Sequence, residues 1–143
     1  MMGLQPWLFW ALLSAFFAAL TAIFAKVGVT GINADMATFI RTLVIAVLLG
    51  LMVVATGRFQ ALGKIGPRAW VFLLLSGLAT GASWVCYFRA LKLGDAARVA
   101  PIDKLSVVLV AVIGVCVLGE HLSVQGWAGI ILIAAGAALV AVG

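Results

Sequence analysis

Five long runs of apolar residues, separated by short stretches that contain glycine and charged residues, make up most of the chain. Each run has about 18 to 23 residues, and a helix of that length, rising about 1.5 Å per residue, crosses the roughly 30 Å hydrocarbon core of a bilayer. The pattern predicts an all-α integral membrane protein with five transmembrane helices, at about residues 7–25, 36–56, 69–91, 99–118 and 124–142. We interpret residues 1–143 as a single transmembrane domain.

The stretches between the runs contain residues that end and begin helices. Lys26 follows the first run, and Asp35 is placed to act as the N-cap of the second helix. Residues 58–68 form the longest break. Pro101 falls in the first turn of the fourth helix, where proline is tolerated because that N–H has no partner within the helix. Four tryptophans lie near predicted helix starts, as is typical of membrane interfaces: Trp7, Trp10, Trp70 and Trp127.

The composition excludes an ordinary soluble domain. The chain is 66% hydrophobic and 9% charged, whereas soluble domains carry about 25% charged residues. Its net charge is +5, but the basic residues are scattered near the ends of the apolar runs and form no continuous strip. We therefore interpret them as membrane anchors and predict no nucleic-acid partner.

An odd number of helices places the two termini on opposite sides of the membrane. One side then receives the N-terminus, residues 58–68 and the turn at Glu120, whose carboxylate we interpret as an interfacial anchor. The other side receives the turns at Lys26 and at residues 92–98, together with the C-terminus. Three loop cations lie on each side, so the positive-inside rule barely distinguishes the two orientations.

Cations nearer the membrane favour the second side as the cytoplasmic one: Arg41, Arg89 and Lys104. Two interpretations of the near-tie stay open. Either the chain has one orientation in spite of it, or copies insert both ways and pair antiparallel, which would reproduce the inverted repeat of many transporters.

Polar residues inside predicted membrane helices are the candidate functional residues, because each is costly in hydrocarbon. Arg41 lies early in the second helix. Its guanidinium either reaches the interface or an ion pair, or it contacts an anionic group of a solute. Asp103 and Lys104 lie in the first turns of the fourth helix, where neighbours point about 100° apart. We expect each of them to pair elsewhere, with three arginines as candidate partners for Asp103: Arg41, Arg89 and Arg98.

Asp103 also has two interpretations. A carboxylate near a helix N-terminus is stabilised by the helix dipole and can serve a structural ion pair. Alternatively, Asp103 faces the solute or carries a coupling proton, if the loss of hydration favours its neutral form.

Hydroxyl groups follow one face of the third helix. Ser76, Thr80, Ser83 and Tyr87 are spaced so that they share that face. The hydroxyls either make hydrogen bonds between helices or line a cavity. Trp84, next to this face, offers a π-face to a cationic or aromatic ligand, or it faces lipid.

No catalytic arrangement is visible in the sequence. The single histidine, His121, lies in a turn, and no paired carboxylates or metal-ligand spacings are present. The sequence contains no ATP-binding motif either. We therefore predict neither an enzyme nor a cofactor or metal.

From Tyr87 onward the chain carries four motifs in a fixed order. They are the aromatic pair Tyr87-Phe88 before Ala90-Leu91-Lys92, the helix start Val99-Ala100-Pro101, the helix end Leu118-Gly119-Glu120, and a last helix that contains Gly126-Trp127-Ala128-Gly129. In this order, and with Arg41 near the start of the second helix, the chain resembles the drug/metabolite transporter superfamily, specifically its EamA-like repeat.

The resemblance implies one half of a ten-helix transporter, similar to the single-repeat branch of bacteria and archaea. It implies an antiparallel homodimer that moves a small metabolite or toxic compound, often outward, by alternating access in a prokaryotic inner or plasma membrane. The expected partners are membrane lipids and the solute. The Asp103-Lys104 pair departs from the family pattern, which is mostly small and uncharged there.

Two functions follow from the sequence. The first is a secondary-active transporter, and the second is a non-transporting subunit that stabilises a larger membrane complex, with its polar residues joining helices. For the transporter, the candidate substrate and coupling residues are Arg41, Ser76, Thr80, Trp84, Tyr87, Asp103 and Lys104.

Overall fold

Helices joined by short turns account for the part of the chain that the structure, a computed structural model, describes, which is residues 6–143. A single turn of 3₁₀ helix, Leu62–Lys64, precedes the third of them, and no strand occurs within these residues. The all-α prediction is confirmed. The helices are α1 Pro6–Gly28, α2 Ala34–Ala55, α3 Pro67–Leu93, α4 Ala96–Asp103, α5 Ser106–Leu118 and α6 Val124–Val142.

Five stretches of the described chain are long and apolar enough to cross a membrane: α1, α2, α3, α6, and α4 with α5 taken together as Ala96–Leu118. At most 11% of the most apolar part of any span is buried. Large side chains such as Trp10 and Leu78 are 67% and 72% exposed. Water would strongly disfavour so large an apolar surface. Lipid must therefore cover it, and the chain is a multi-pass membrane protein.

The predicted helix limits are close to those observed. The fifth predicted helix, 124–142, coincides with α6, and α1 and α3 extend two or three residues beyond their predicted ends. The predicted N-cap of α2 is wrong. The side chain of Asn33 accepts hydrogen bonds from the backbone N–H groups of Asp35 and Met36, at 2.8 and 3.3 Å, because Asn33 is the last residue in an extended conformation before the helix.

The fourth predicted helix is interrupted. α4 ends at Asp103, and α5 begins at Ser106 after a turn at residues 104–105. The N–H of Lys104 bonds to the carbonyls of both Ala100 and Pro101, at 3.3 and 3.2 Å. The N–H of Leu105 bonds to the carbonyl three residues before it. This tightening from four-residue to three-residue hydrogen bonds is the geometry of a helix end.

Contacts group the chain into two units, which we describe separately. Among the described residues, one unit contains residues 6–24 and Leu93–Gly143. Within it α6 packs against α4 and α5, and Ala137 of α6 is buried. The side chain of Arg98 donates to the carbonyl of Ala141 at 3.4 Å.

The second unit, Ala25–Lys92, is held at one end by three basic side chains. Lys26 donates to the carbonyl of Leu91 at 2.7 Å, and Lys92 donates to the carbonyl of Ile32. Arg89 makes two hydrogen bonds to the carboxylate of Asp35, at 3.0 and 2.8 Å. The turn after α1 and the start of α2 are therefore fastened to the last turns of α3. Because cations are favoured at helix C-termini, the Lys26 contact also suits the dipole of α3.

Candidate functional site

A stacked arginine lies in the first half of α2. Arg41 is seven residues into the helix, about 10 Å from its start. Its guanidinium carbon lies 4.2 Å from the centroid of the Trp84 ring and 5.5 Å from that of Phe88. Trp84 and Phe88 are four residues apart on α3, so both rings belong to one face of that helix. The structure thus brings together Arg41 and Trp84, two of the residues that the sequence selected.

This arrangement holds the guanidinium inside the span. Trp84 lies nine residues from the end of α3, about 13 Å along the helix. The guanidinium of Arg41 therefore lies at the depth of Trp84 and Phe88 and does not extend toward the N-terminal end of α2. Phe88, 3% exposed, provides a rigid base for the stack.

Arg41 keeps its charge available. Within residues 6–143 no carboxylate lies at ion-pair distance from Arg41, whereas Arg89 on α3 is paired with Asp35. None of the nitrogens of Arg41 is both buried and without a hydrogen bond. Its N–H groups, which could bind a carboxylate in a two-pronged fashion, are therefore accessible.

Three of the four hydroxyl residues of α3 precede Trp84 along the helix, and the fourth, Tyr87, follows it. Ser76, Thr80 and Ser83 are exposed, and Tyr87, three residues beyond Trp84, is half-buried. The hydroxyl of Thr80 donates to the carbonyl of Ser76 at 2.8 Å, within the same helix. Such back-bonding is how a hydroxyl is accommodated in hydrocarbon. Thr80 is thus satisfied without a partner helix, and its second role, as a ligand contact, stays a prediction.

Asp103 and Lys104 form a pair of their own, and the expectation that each would pair elsewhere is wrong. The ammonium of Lys104 lies 3.3 Å from the carboxylate of Asp103. Adjacent residues diverge only while both belong to a regular helix, and α4 ends at Asp103. The long side chain of Lys104 can therefore turn back from the break. Arg89, one expected partner of Asp103, binds Asp35 instead.

Two contributing residues were missed at the level of sequence. Phe88 was noted only as part of a motif, although its spacing of four from Trp84 places both rings on the same helix face. Asp35 was interpreted as a cap. The sequence shows a carboxylate at the start of one apolar run, Asp35, and a guanidinium at the end of another, Arg89. These positions are compatible with an ion pair, but they do not show that the two residues meet.

The chain is similar to known transporters along nearly all of its length. The family described as the EamA-like transporter family matches residues 5–142. A protein of Sinorhizobium sp., named "Uncharacterized transporter in cobO 3'region", is 64% identical over 138 residues, which cover 96% of this chain and 98% of that protein. No solved structure matches the chain.

Proposed function

Because the chain belongs to the EamA-like transporter family, we propose that it is a secondary-active exporter of a small metabolite or toxic compound. We further propose that it works as a homodimer, with antiparallel copies, by alternating access in the inner or plasma membrane of a prokaryote. The proposed activity moves the solute without converting it chemically. Any driving force would then come from an ion gradient or from the gradient of the solute.

We infer that Arg41 binds an anionic group of the solute. The single observation that supports this most strongly is a guanidinium within a membrane span, 4.2 Å from Trp84, with no carboxylate at ion-pair distance among residues 6–143. An unpaired charge in a span is costly, and intramembrane charges commonly mark substrate pathways. The Trp84 ring contacts the guanidinium on one side, and the N–H groups stay accessible to a ligand.

Asp103 and Lys104 provide the second proposed contact. Their opposite charges lie 3.3 Å apart at the interruption between α4 and α5. Interrupted helices are the elements from which transporters build substrate and ion sites, because the backbone groups at the break are not all used within the helix. A carboxylate beside an ammonium suits a zwitterion, such as an amino acid, or a coupling proton on Asp103.

Transport by the purified protein in liposomes tests the role of Arg41. A thermal-shift screen with amino acids, simple organic anions and organic cations would select the solute, and its flux would then be measured. Arg41→Gln is expected to reduce flux at least tenfold, and Arg41→Lys less, because an ammonium keeps the charge but not the planar fork. Arg58→Gln, an exposed loop arginine, is the matched control. Equal flux in Arg41→Gln and Arg58→Gln would exclude Arg41 from solute binding.

Asp103→Asn tests the second contact. We expect this variant to insert and to assemble normally, but to lose most solute flux, because an amide keeps the shape of the carboxylate and removes its charge. Flux at the wild-type rate would remove Asp103 from the mechanism.

Assembly and direction need their own measurements. Reporters fused to the C-terminus should give signals from both sides of the membrane if copies insert in both orientations, and a one-sided signal would exclude the antiparallel homodimer. An antiparallel homodimer presents the same face to both sides, so the gradient sets the direction of flux; export is therefore tested in cells, where an exporter should lower the internal concentration of the solute.

A further inference from the structure

An apolar groove lies between α5 and α6, and none of the residues assigned above lines it. It has a volume of about 210 Å³, smaller than the roughly 300 Å³ at which drug-sized pockets begin. The α5 residues of its wall share one face of that helix. Its apolar wall consists of Val107, Val110, Ala111, Val115, Leu122 and Ile130.

The groove has one polar end. Glu120 and His121, in the turn between α5 and α6, line it together with the valines. The rest of the groove follows α5 from Val115 back to Val107, eight residues or about 12 Å along the helix axis. Its occupant therefore needs a charged or polar head and an apolar body of some length.

Glu120 has a defined position at this end. Gly119 adopts the left-handed conformation, with φ of 69°, and its N–H and that of Glu120 both bond to the carbonyl of Gly114. The side chain of Glu120 then folds back over Gly114. A carboxylate oxygen lies 2.6 Å from the point where a Cβ of residue 114 would be. Only glycine leaves room for the carboxylate at this place.

The polar end lies where lipid headgroups lie. The fourth span ends at Leu118 and the fifth begins at Val124, so Glu120 and His121 occupy the short turn between two spans. The valines of the groove belong to the span itself. A groove that starts at the interface and continues into the hydrocarbon has the same division of polar and apolar parts as a phospholipid.

We propose that this groove is a binding site for phosphatidylethanolamine. The primary ammonium of the lipid pairs with the carboxylate of Glu120, one acyl chain follows the valine face of α5, and the imidazole of His121 donates to the phosphate. Charge complementarity selects the headgroup. A primary ammonium donates charge-assisted hydrogen bonds to a carboxylate, whereas the quaternary ammonium of phosphatidylcholine has no N–H, and phosphatidylglycerol has no cation.

Native mass spectrometry of the purified protein tests the proposal. The protein would be exposed to equimolar phosphatidylethanolamine, phosphatidylcholine and phosphatidylglycerol, and the retained lipids counted. We expect retention of phosphatidylethanolamine to exceed that of phosphatidylcholine about fivefold, the effect of one net hydrogen bond of ordinary strength, because the exposure of Glu120 weakens a charge-assisted contact. Glu120→Gln should abolish this preference. Asp95→Asn, a carboxylate substitution at the start of the same span, should leave it unchanged.

A second variant changes the position of the carboxylate and not its charge. In Gly114→Ala the added methyl group makes the Glu120 carboxylate shift from its position and should weaken the preference. Gly136→Ala, which adds the same methyl group to α6 where no atom lies within 4 Å, should not. Retained helicity by circular dichroism identifies variants that have folded.

Two results would overturn the proposal: equal retention of the three lipids by the wild-type protein, or an unchanged preference in folded Glu120→Gln. Displacement of the lipid by dodecylammonium at equal concentration would show a site for free amphipathic amines and would overturn it as well. None of these measurements uses solute flux, so they are independent of the function proposed above.

Discussion

Removing the contact between Arg41 of α2 and Trp84 of α3 should lower the stability of the protein by a measurable amount. Cation–π contacts contribute about 0.5–1 kcal/mol at exposed sites and about 2 kcal/mol where they are desolvated. The guanidinium lies 4.2 Å from the ring centroid, and both side chains are half-buried. An intermediate coupling of about 1 kcal/mol is therefore expected.

A double-mutant cycle isolates this coupling. Arg41→Met keeps an apolar stem without the charge, and Trp84→Leu keeps apolar volume without the ring. The free energy of unfolding of the wild type, the single variants and the double variant would be measured by titrating SDS into detergent micelles and following helicity. Phe88, which also faces Arg41 at 5.5 Å, stays unchanged in all four proteins, so its contribution cancels when the ring of Trp84 is removed.

A second arginine and aromatic ring, both on α3, provide a matched control. The guanidinium of Arg68 lies 6.0 Å from the ring of Phe72. The attraction between a charge and a ring quadrupole falls with about the cube of the distance, so this contact should be about one third as strong, and exposure weakens it further. A coupling below about 0.3 kcal/mol for Arg41 and Trp84, which is within ordinary additivity, would refute the reasoning. So would an equal coupling for Arg68 and Phe72.

Three further predictions concern the ends of helices. Exchanging the charges, Asp35→Arg with Arg89→Asp, should recover part of the Tm that either single substitution loses in detergent; a double variant less stable than both singles would contradict the ion pair. Asn33→Ala and Ser123→Ala each remove an N-cap and should lower the free energy of unfolding by about 1 kcal/mol in the SDS titration, and unchanged values would show that the caps contribute nothing. Gly119→Ala should cost about 1 kcal/mol in the same titration because φ is 69°, whereas wild-type stability would mean that the turn adopts another conformation at no cost.

The membrane spans could be predicted from the sequence because they depend on composition and length alone. Twenty apolar residues in a row have to be covered by lipid, and a helix is the only local structure that satisfies its own backbone there. α6 illustrates this, since its observed limits, Val124–Val142, are those of the apolar run. Limits set by side chains were less accurate. At the start of α2, Asn33 and Asp35 are both able to act as the N-cap. Only the extended backbone conformation of Asn33 shows which of them does so.

Contacts between helices could not be predicted from the same pattern. Hydropathy shows how deep Arg41 lies in its span, but not which helix lies beside it, so its contact with Trp84 was one of several possibilities. The prediction that Asp103 and Lys104 pair elsewhere was wrong for a local reason. The prediction assumed a continuous helix through residue 104, and the sequence contains no stop signal there other than Pro101, which is also compatible with the first turn of an unbroken helix.

These contacts show which cations are free to set the orientation of the chain in the membrane. On the side of the Lys26 turn, both Lys26 and Lys92 bind backbone carbonyls and Arg89 binds Asp35. Each of these cations has a partner within Ala25–Lys92, so replacing one to adjust topology would also remove a contact. Arg58 and Lys64, on the opposite side, are exposed cations whose side chains form no ion pair within residues 6–143. The balance of charge that the positive-inside rule weighs is therefore free to change only in the loop before α3. Whether one or both orientations occur should be decided there.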